Sequence, residues 1–228
     1  MTIEVLADVE SVGRRAAAAI AAEARAAVTA RGRFTVAVSG GRTPWSMLQA
    51  LSGMDLPWPH MHVLQVDERI APANHPDRNL ARLEASLAAP PTSAVPVRIH
   101  PMPVDAADID DAARAYADTL TAVAGSPPVL DLIHLGLGAD GHTASLVPGD
   151  PVLDITGADV ALTGVYQGRR RMTLTYPVLN RARRLLWVIT GEEKTAMLAR
   201  LRRGDRAIPA GRVRQDTALV VTDLAEGR

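Results

Sequence analysis

The sequence predicts an α/β fold built on a largely parallel sheet. Segments with the 3.6-residue helical period alternate with short strand-like runs along the chain. Several of those runs are apolar without interruption, the pattern of strands covered on both faces. The Pro-Pro pairs at Pro90 and Pro127 mark turns, yet neither lies in a long polar linker. Residues 1–228 therefore read as one domain, without repeats or low-complexity tracts.

The elements follow in order. Residues 9–30 are alanine-rich, and Val9, Val12, Ala16, Ile20, Ala27 and Val28 form an apolar stripe, which predicts a helix whose alanines serve propensity and close packing. Strands are predicted over 34–38, 62–66, 131–135, 184–190 and 218–222. Helices are predicted over 45–51, 79–87, 109–123 and 192–201. In such a fold, ligands collect beyond the carboxyl ends of the strands.

Composition excludes several classes of function. Lys+Arg and Asp+Glu both number 25, so the formal net charge is zero and nothing marks a nucleic-acid or anionic-membrane surface. Any anionic ligand must be held locally. The absence of cysteine excludes disulfides, thiolate nucleophiles and cysteine-bound metals, and fits a reducing compartment. No apolar run reaches bilayer length and no signal-type block opens the chain, so a cytoplasmic protein without a membrane partner is expected. The six histidines show no H-E-x-x-H or paired spacing, so no metal site is expected.

The stretch 131–148, DLIHLGLGADGHTASLVP, delivers a strand into a glycine turn that ends on His142. Gly136, Gly138 and Gly141 match G-x-G-x-x-G, but Pro148, Gly149 and Pro151 leave little helix to receive a pyrophosphate. A dinucleotide site is disfavoured on that ground. Two readings stay open: a tight turn with a solvated histidine, or a turn that brings backbone close to a ligand and aims His142 at it.

Three other strand ends carry chemistry. After 34–38 comes SGGRTP, where Ser39, Gly40 and Gly41 turn the chain, Thr43 is suited to cap and Pro44 suits the first helical position. Amides freed there, beside the positive end of a helix, suit a phosphate or carboxylate; a capped strand-to-helix turn explains the same residues without a ligand. The P-loop spacing is absent. After 62–66 come Asp67, Glu68 and Arg69, either a salt-bridged rim or a site in which Arg69 meets a developing oxyanion and Asp67 orients a histidine. His75, among prolines, is expected at the surface or in a lid. Arg171 precedes the alternating segment 172–175, and Lys194 falls on the first turn of the helix after 184–190.

Together, SGGRTP (39–44), VDER (66–69), HPDRN (75–79), GLGADGHTASLVPG (136–149), RMTLTYPVLN (171–180) and GEEK (191–194) occur in the order found in 6-phosphogluconolactonases, which the chain resembles over nearly its whole length. The resemblance implies a Rossmann-like three-layer sandwich with a mostly parallel central sheet and no nicotinamide or other cofactor. It implies a phosphorylated sugar lactone as substrate, its phosphate held by Ser39, Gly40, Gly41, Arg42, Thr43, Arg171 and Lys194. It sets no oligomeric state. Arg78 departs from the pattern, since many relatives carry serine there.

The same superfamily holds glucosamine-6-phosphate deaminases, which place a glutamate five residues after the histidine to tune it. Here that position is Val147, which takes no part in a proton relay. Lactone hydrolysis needs only a base for water, a stabilised oxyanion and an acid for the ring oxygen, roles one histidine shares with an oxyanion site. His142 is therefore expected as base and then acid, oriented by Asp67 or Asp140, with Arg69 and glycine-turn amides on the oxyanion or sugar. A sugar-phosphate deaminase and a non-catalytic sugar-phosphate-binding protein are the alternatives; the second would lack His142.

Overall fold

A computed structural model describes residues 1–88 and 97–225. The chain runs β1 (Thr2–Val5), α1 (Val9–Arg31), β2 (Phe34–Val38), α2 (Arg42–Ser52), β3 (Met61–Gln65), β4 (Asp67–Arg69), α3 (Asn79–Leu87) and β5 (Arg98–His100). It continues α4 (Ile109–Ala124), β6 (Leu132–Leu135), β7 (Val160–Leu162), β8 (Arg171–Leu174), α5 (Tyr176–Arg181), β9 (Arg184–Ile189), α6 (Thr195–Arg202) and β10 (Ala218–Thr222). Seven strands form one parallel sheet in the order β1-β10-β9-β6-β2-β3-β5.

Alternate residues of the central strands feed two separate cores, one on each face of the sheet. Val36, Val38 and Val63 join α1, α2 and α3 on one side; Ala37, Leu64 and Ile133 join α4, α5 and α6 on the other. This is the three-layer sandwich. Helix α1 shows how sequence builds a layer: Asp8 accepts the Ser11 N–H at 2.7 Å, Gly32 ends the helix in the left-handed region, and its buried face is mostly alanine around Val12 and Ile20. Small side chains let it lie close against α2.

The sheet has more strands than the sequence predicts. β1 and β5 are edge strands, short and partly exposed, so neither carries the continuous apolar run that marks the interior strands. A second sheet, antiparallel in the order β4-β8-β7, sits over the carboxyl ends. Two helix starts also move. α2 begins at Arg42 rather than 45, and the helix expected from 192 opens with a 3₁₀ turn at Glu192–Lys194 before α6 starts at Thr195. Ser126–Pro127 is a cis peptide within the turn 125–128, while Pro90 lies outside the described residues.

At the amino ends of β2 and β6, the buried Asp131 accepts from the Thr35 N–H at 2.8 Å, the Thr35 hydroxyl at 3.0 Å and Arg31 at 2.7 Å. That clamp fixes the two strands at one end. The opposite end is left to separate and form a site.

Candidate active site

β2 and β6 are where the strand order reverses: β9, β10 and β1 add on the β6 side, β3 and β5 on the β2 side. Crevices form at the carboxyl end of such a switch point. The β2–β6 ladder registers only Val36 with Leu132 and Ala37 with Ile133, and beyond it a side chain takes over. Ser39 N–H donates to His134 Nδ1 at 3.2 Å and Ser39 Oγ donates to the His134 carbonyl at 3.1 Å. Burial drives the pKa of His134 down to about 3, so its ring is neutral and its Nδ1 accepts. The two strands thereby part over a cavity of about 650 Å³.

On one wall, the turn after β6 presents His142. Its Nδ1 lies 2.5 Å from Asp140 Oδ1, which also accepts the His142 N–H at 3.1 Å. Of the two carboxylates the sequence leaves open, Asp140 makes this contact; Asp67 accepts instead from Ser145 Oγ at 2.6 Å. Two residues of separation in a tight turn bring Asp140 onto His142. Partial burial opposes ionisation of Asp140, but hydrogen bonds from the His142 backbone and ring, and from Tyr166 OH at 3.1 Å, prevail and hold its carboxyl below the ordinary value. Gly138 is required by space: a Cβ there would stand 2.0 Å from His142 Nδ1 and 2.6 Å from Asp140 Oδ1. Two amides of the glycine turn are engaged within it: Gly138 N–H donates to the His142 carbonyl and Gly141 N–H to that of Gly138.

The cavity is also lined by Ser39, Gly40, Gly41, Thr43 and Lys194. Gly41, at φ 138°, is the cap of α2 and carries no side-chain cap. Thr43 is not the cap the sequence suggests. It sits one residue inside α2, where its Oγ1 pairs with Thr190 Oγ1 at 2.7 Å, tying the β2 and β9 loops together. Pro44 then occupies the third helical position, whose N–H has no partner within the helix in any case. Arg42 opens the helix; its side chain lies outside what the structure describes.

The third wall comes from the small sheet. Arg69 and Arg171 are direct cross-strand partners on β4 and β8, two like charges side by side. Arg171 is buried, which lowers its pKa, and its guanidinium lies over the Tyr166 ring at 5.0 Å. Tyr166 in turn meets the His142 ring edge-on at 5.5 Å. Arg171, Tyr166, Asp140 and His142 thus form one contiguous chain.

Tyr166 and Asn79 are what sequence reasoning misses. Asn79 accepts from Arg69 Nη1 at 2.8 Å, and its amide packs so close to Gly40 that a Cβ there would meet Asn79 Oδ1 at 2.1 Å. Asn79 was visible in HPDRN, whereas Tyr166 sits in an irregular loop with no periodic signal. Glu68 is not a site carboxylate: fully buried, it accepts the N–H groups of Asn79 and Leu80 at 2.8 and 2.9 Å and so caps α3. His75 bonds Arg169 at 3.0 Å outside the cavity. Among the described residues, no group of three His, Asp or Glu is placed to hold a metal ion.

Known proteins bear on this geometry. Residues 7–222 match the model of the family described as glucosamine-6-phosphate isomerases/6-phosphogluconolactonase. A 6-phosphogluconolactonase of Synechocystis is 38% identical over 87% of this chain and 84% of its own, and one of Rhizobium meliloti is 39% identical over 86% and 81%. The solved 6-phosphogluconolactonase of Thermotoga maritima superposes with a TM-score of 0.84 at 25% identity, covering 97% of this chain and 98% of that one. A monomeric glucosamine-6-phosphate deaminase superposes nearly as well, TM-score 0.83 at 16% identity, a likeness of fold alone. Sequence and fold together show that the chain belongs to the glucosamine-6-phosphate isomerase/6-phosphogluconolactonase family.

Proposed function

We propose that the protein hydrolyses 6-phospho-D-glucono-1,5-lactone to 6-phosphogluconate, the lactonase step of the oxidative pentose phosphate pathway, as one lactonase domain working in the cytoplasm. One observation carries the reading: His142, backed by Asp140, lines the same cavity as Gly40, Gly41, Thr43, Arg171 and Lys194. A base and a group of anion-binding candidates thus line one cavity of about 650 Å³.

The chemistry follows from the parts. Ionised Asp140 accepts a hydrogen bond from His142 Nδ1–H, leaving Nε2 as the base. Nε2 takes a proton from water as the oxygen attacks the lactone carbonyl, and Arg69 stabilises the oxyanion. The intermediate collapses with cleavage of the bond from the carbonyl carbon to the ring oxygen, which receives the proton from the imidazolium. The product acid then ionises. The phosphate rests on Ser39, Gly40, Gly41 and Thr43 at the amino end of α2, with Arg42, Arg171 and Lys194 as its cations. Asp67 offsets part of the charge of Arg171 from beyond ion-pair distance. Binding energy from this remote dianion orients the reacting carbonyl.

Val147 separates this reading from deamination. It is buried at 5% exposure and is not among the residues lining the cavity, so the position that would hold the relay glutamate carries no carboxylate. The deciding experiment supplies 6-phosphogluconolactone and glucosamine 6-phosphate separately. Enzyme-dependent acid release from the first above its spontaneous hydrolysis, and no ammonia from the second, is the expected result; ammonia release would overturn it.

A further inference from the structure

A second cavity, of about 360 Å³, adjoins the first along Gly41, Arg69, Asn79 and Arg171. Five arginines border it: Arg69, Arg78, Arg82, Arg169 and Arg171. Among the described residues, Asp77 is the one carboxylate on its wall. In a chain whose formal charges cancel, this is a local concentration of positive charge.

The positive charge is only partly compensated. Asp77 is engaged by Arg169 at 2.7 Å, a bond that holds its carboxyl below the ordinary value. Among the described residues, Arg78, its side chain 5% exposed, reaches one carboxylate, Asp105, at 3.3 Å. Arg82 has no ion-pair partner among the described residues, nor do the cross-strand neighbours Arg69 and Arg171. Like charges gathered at a partly desolvated wall repel one another, and an anion set among them reverses the sign of that interaction. Guanidinium forks match oxygen pairs of phosphates and carboxylates.

We propose that this cavity is a second anion subsite, taking a small polyvalent oxyanion that is separate from the sugar phosphate in the first. Arg69 and Arg171 border both cavities, so an anion in the second draws on the guanidiniums that serve the substrate and raises its KM. The kinetic consequence rests on the lactonase reading, whereas binding does not.

Tryptophan fluorescence supplies a readout free of turnover. Trp45 lines the second cavity, while the other two tryptophans, Trp58 and Trp187, are fully buried. Titration of the full chain with inorganic pyrophosphate is expected to give a saturable change, with Kd at least fivefold weaker in Arg82→Glu, an exposed position that tolerates substitution. Arg78→Ser is expected to weaken it likewise. Pyrophosphate also inhibits lactone hydrolysis, and its Ki rises in Arg82→Glu by the same factor while kcat and KM without pyrophosphate stay within twofold. Equal Kd in wild type and Arg82→Glu, with binding lost in Lys194→Ala, would put pyrophosphate in the first cavity and overturn the proposal. A tenfold rise in lactone KM for Arg82→Glu without pyrophosphate would overturn it too, by making the second cavity part of the substrate's own site.

Discussion

His142 Nδ1 and Asp140 Oδ1 stand 2.5 Å apart, and the same carboxylate oxygen takes the backbone N–H of His142. One turn therefore sets both the ring's orientation and its tautomer. Asp140→Asn keeps the size of the side chain but removes the charge that selects the Nδ1 proton. Its kcat is expected to fall by about 10²–10⁴-fold with KM little changed. His142→Ala should lose at least as much while still binding 6-phosphogluconate. Turnover of either variant near the wild-type rate, measured in a stopped assay corrected for spontaneous hydrolysis, would remove the dyad from the mechanism.

Lys194 lines the cavity from the 3₁₀ turn after β9. A charge-assisted bond to a dianion contributes roughly 1.5–3 kcal/mol, so Lys194→Ala should raise KM about tenfold to a hundredfold and change kcat far less. An unchanged KM would exclude it from the phosphate site.

Gly138→Ala separates folding from catalysis. The added Cβ meets the outer atoms of His142 and Asp140, not backbone, so the two side chains yield and the fold persists. The expected result is a melting temperature within about 5 °C of wild type, a change of order 1 kcal/mol for a chain of this size, with kcat as low as that of Asp140→Asn. A variant that retains kcat would show that the dyad tolerates displacement.

His134 makes stability depend on pH. Its folded pKa of about 3, set by burial, lies below the value of about 6.5 for an unfolded histidine. Between those values the unfolded chain binds the extra proton, so the stabilising contribution is full above about pH 6.5 and is lost progressively as pH falls towards 3. His134→Asn, whose side-chain oxygen still accepts from Ser39 N–H, should flatten the decline from pH 7 to 5 by up to about 1.4 kcal/mol per pH unit. His62 and His100, hydrogen-bonded at 3.0 Å and both lowered first by burial, act in the same direction but are present in both proteins. Urea unfolding at each pH measures the difference, and identical slopes would refute the assignment.

Local pattern made much of this legible. The limits of β2, α3 and β10 follow from runs and periods a few residues long, and the turn ending on His142 announces itself because its glycines, its aspartate and its histidine lie within seven residues. The edge strands β1 and β5 were not legible, since pairing at a sheet margin asks little of the side chains. Nor was the start of α2, where Gly41 rather than Thr43 makes the cap.

By itself the sequence determined the α/β alternation, the glycine turn at SGGRTP and the histidine on its own glycine turn, because each is a property of neighbouring residues. Only the tertiary structure decided that Asp140 and not Asp67 meets His142, that Ser145 binds Asp67 across 78 positions, and that Tyr166 links Arg171 to the dyad. It also set Arg69 beside Arg171 and opened a second cavity around them. Such pairs depend on strand order and register, which short-range periodicity does not encode, and they converge where β2 and β6 part.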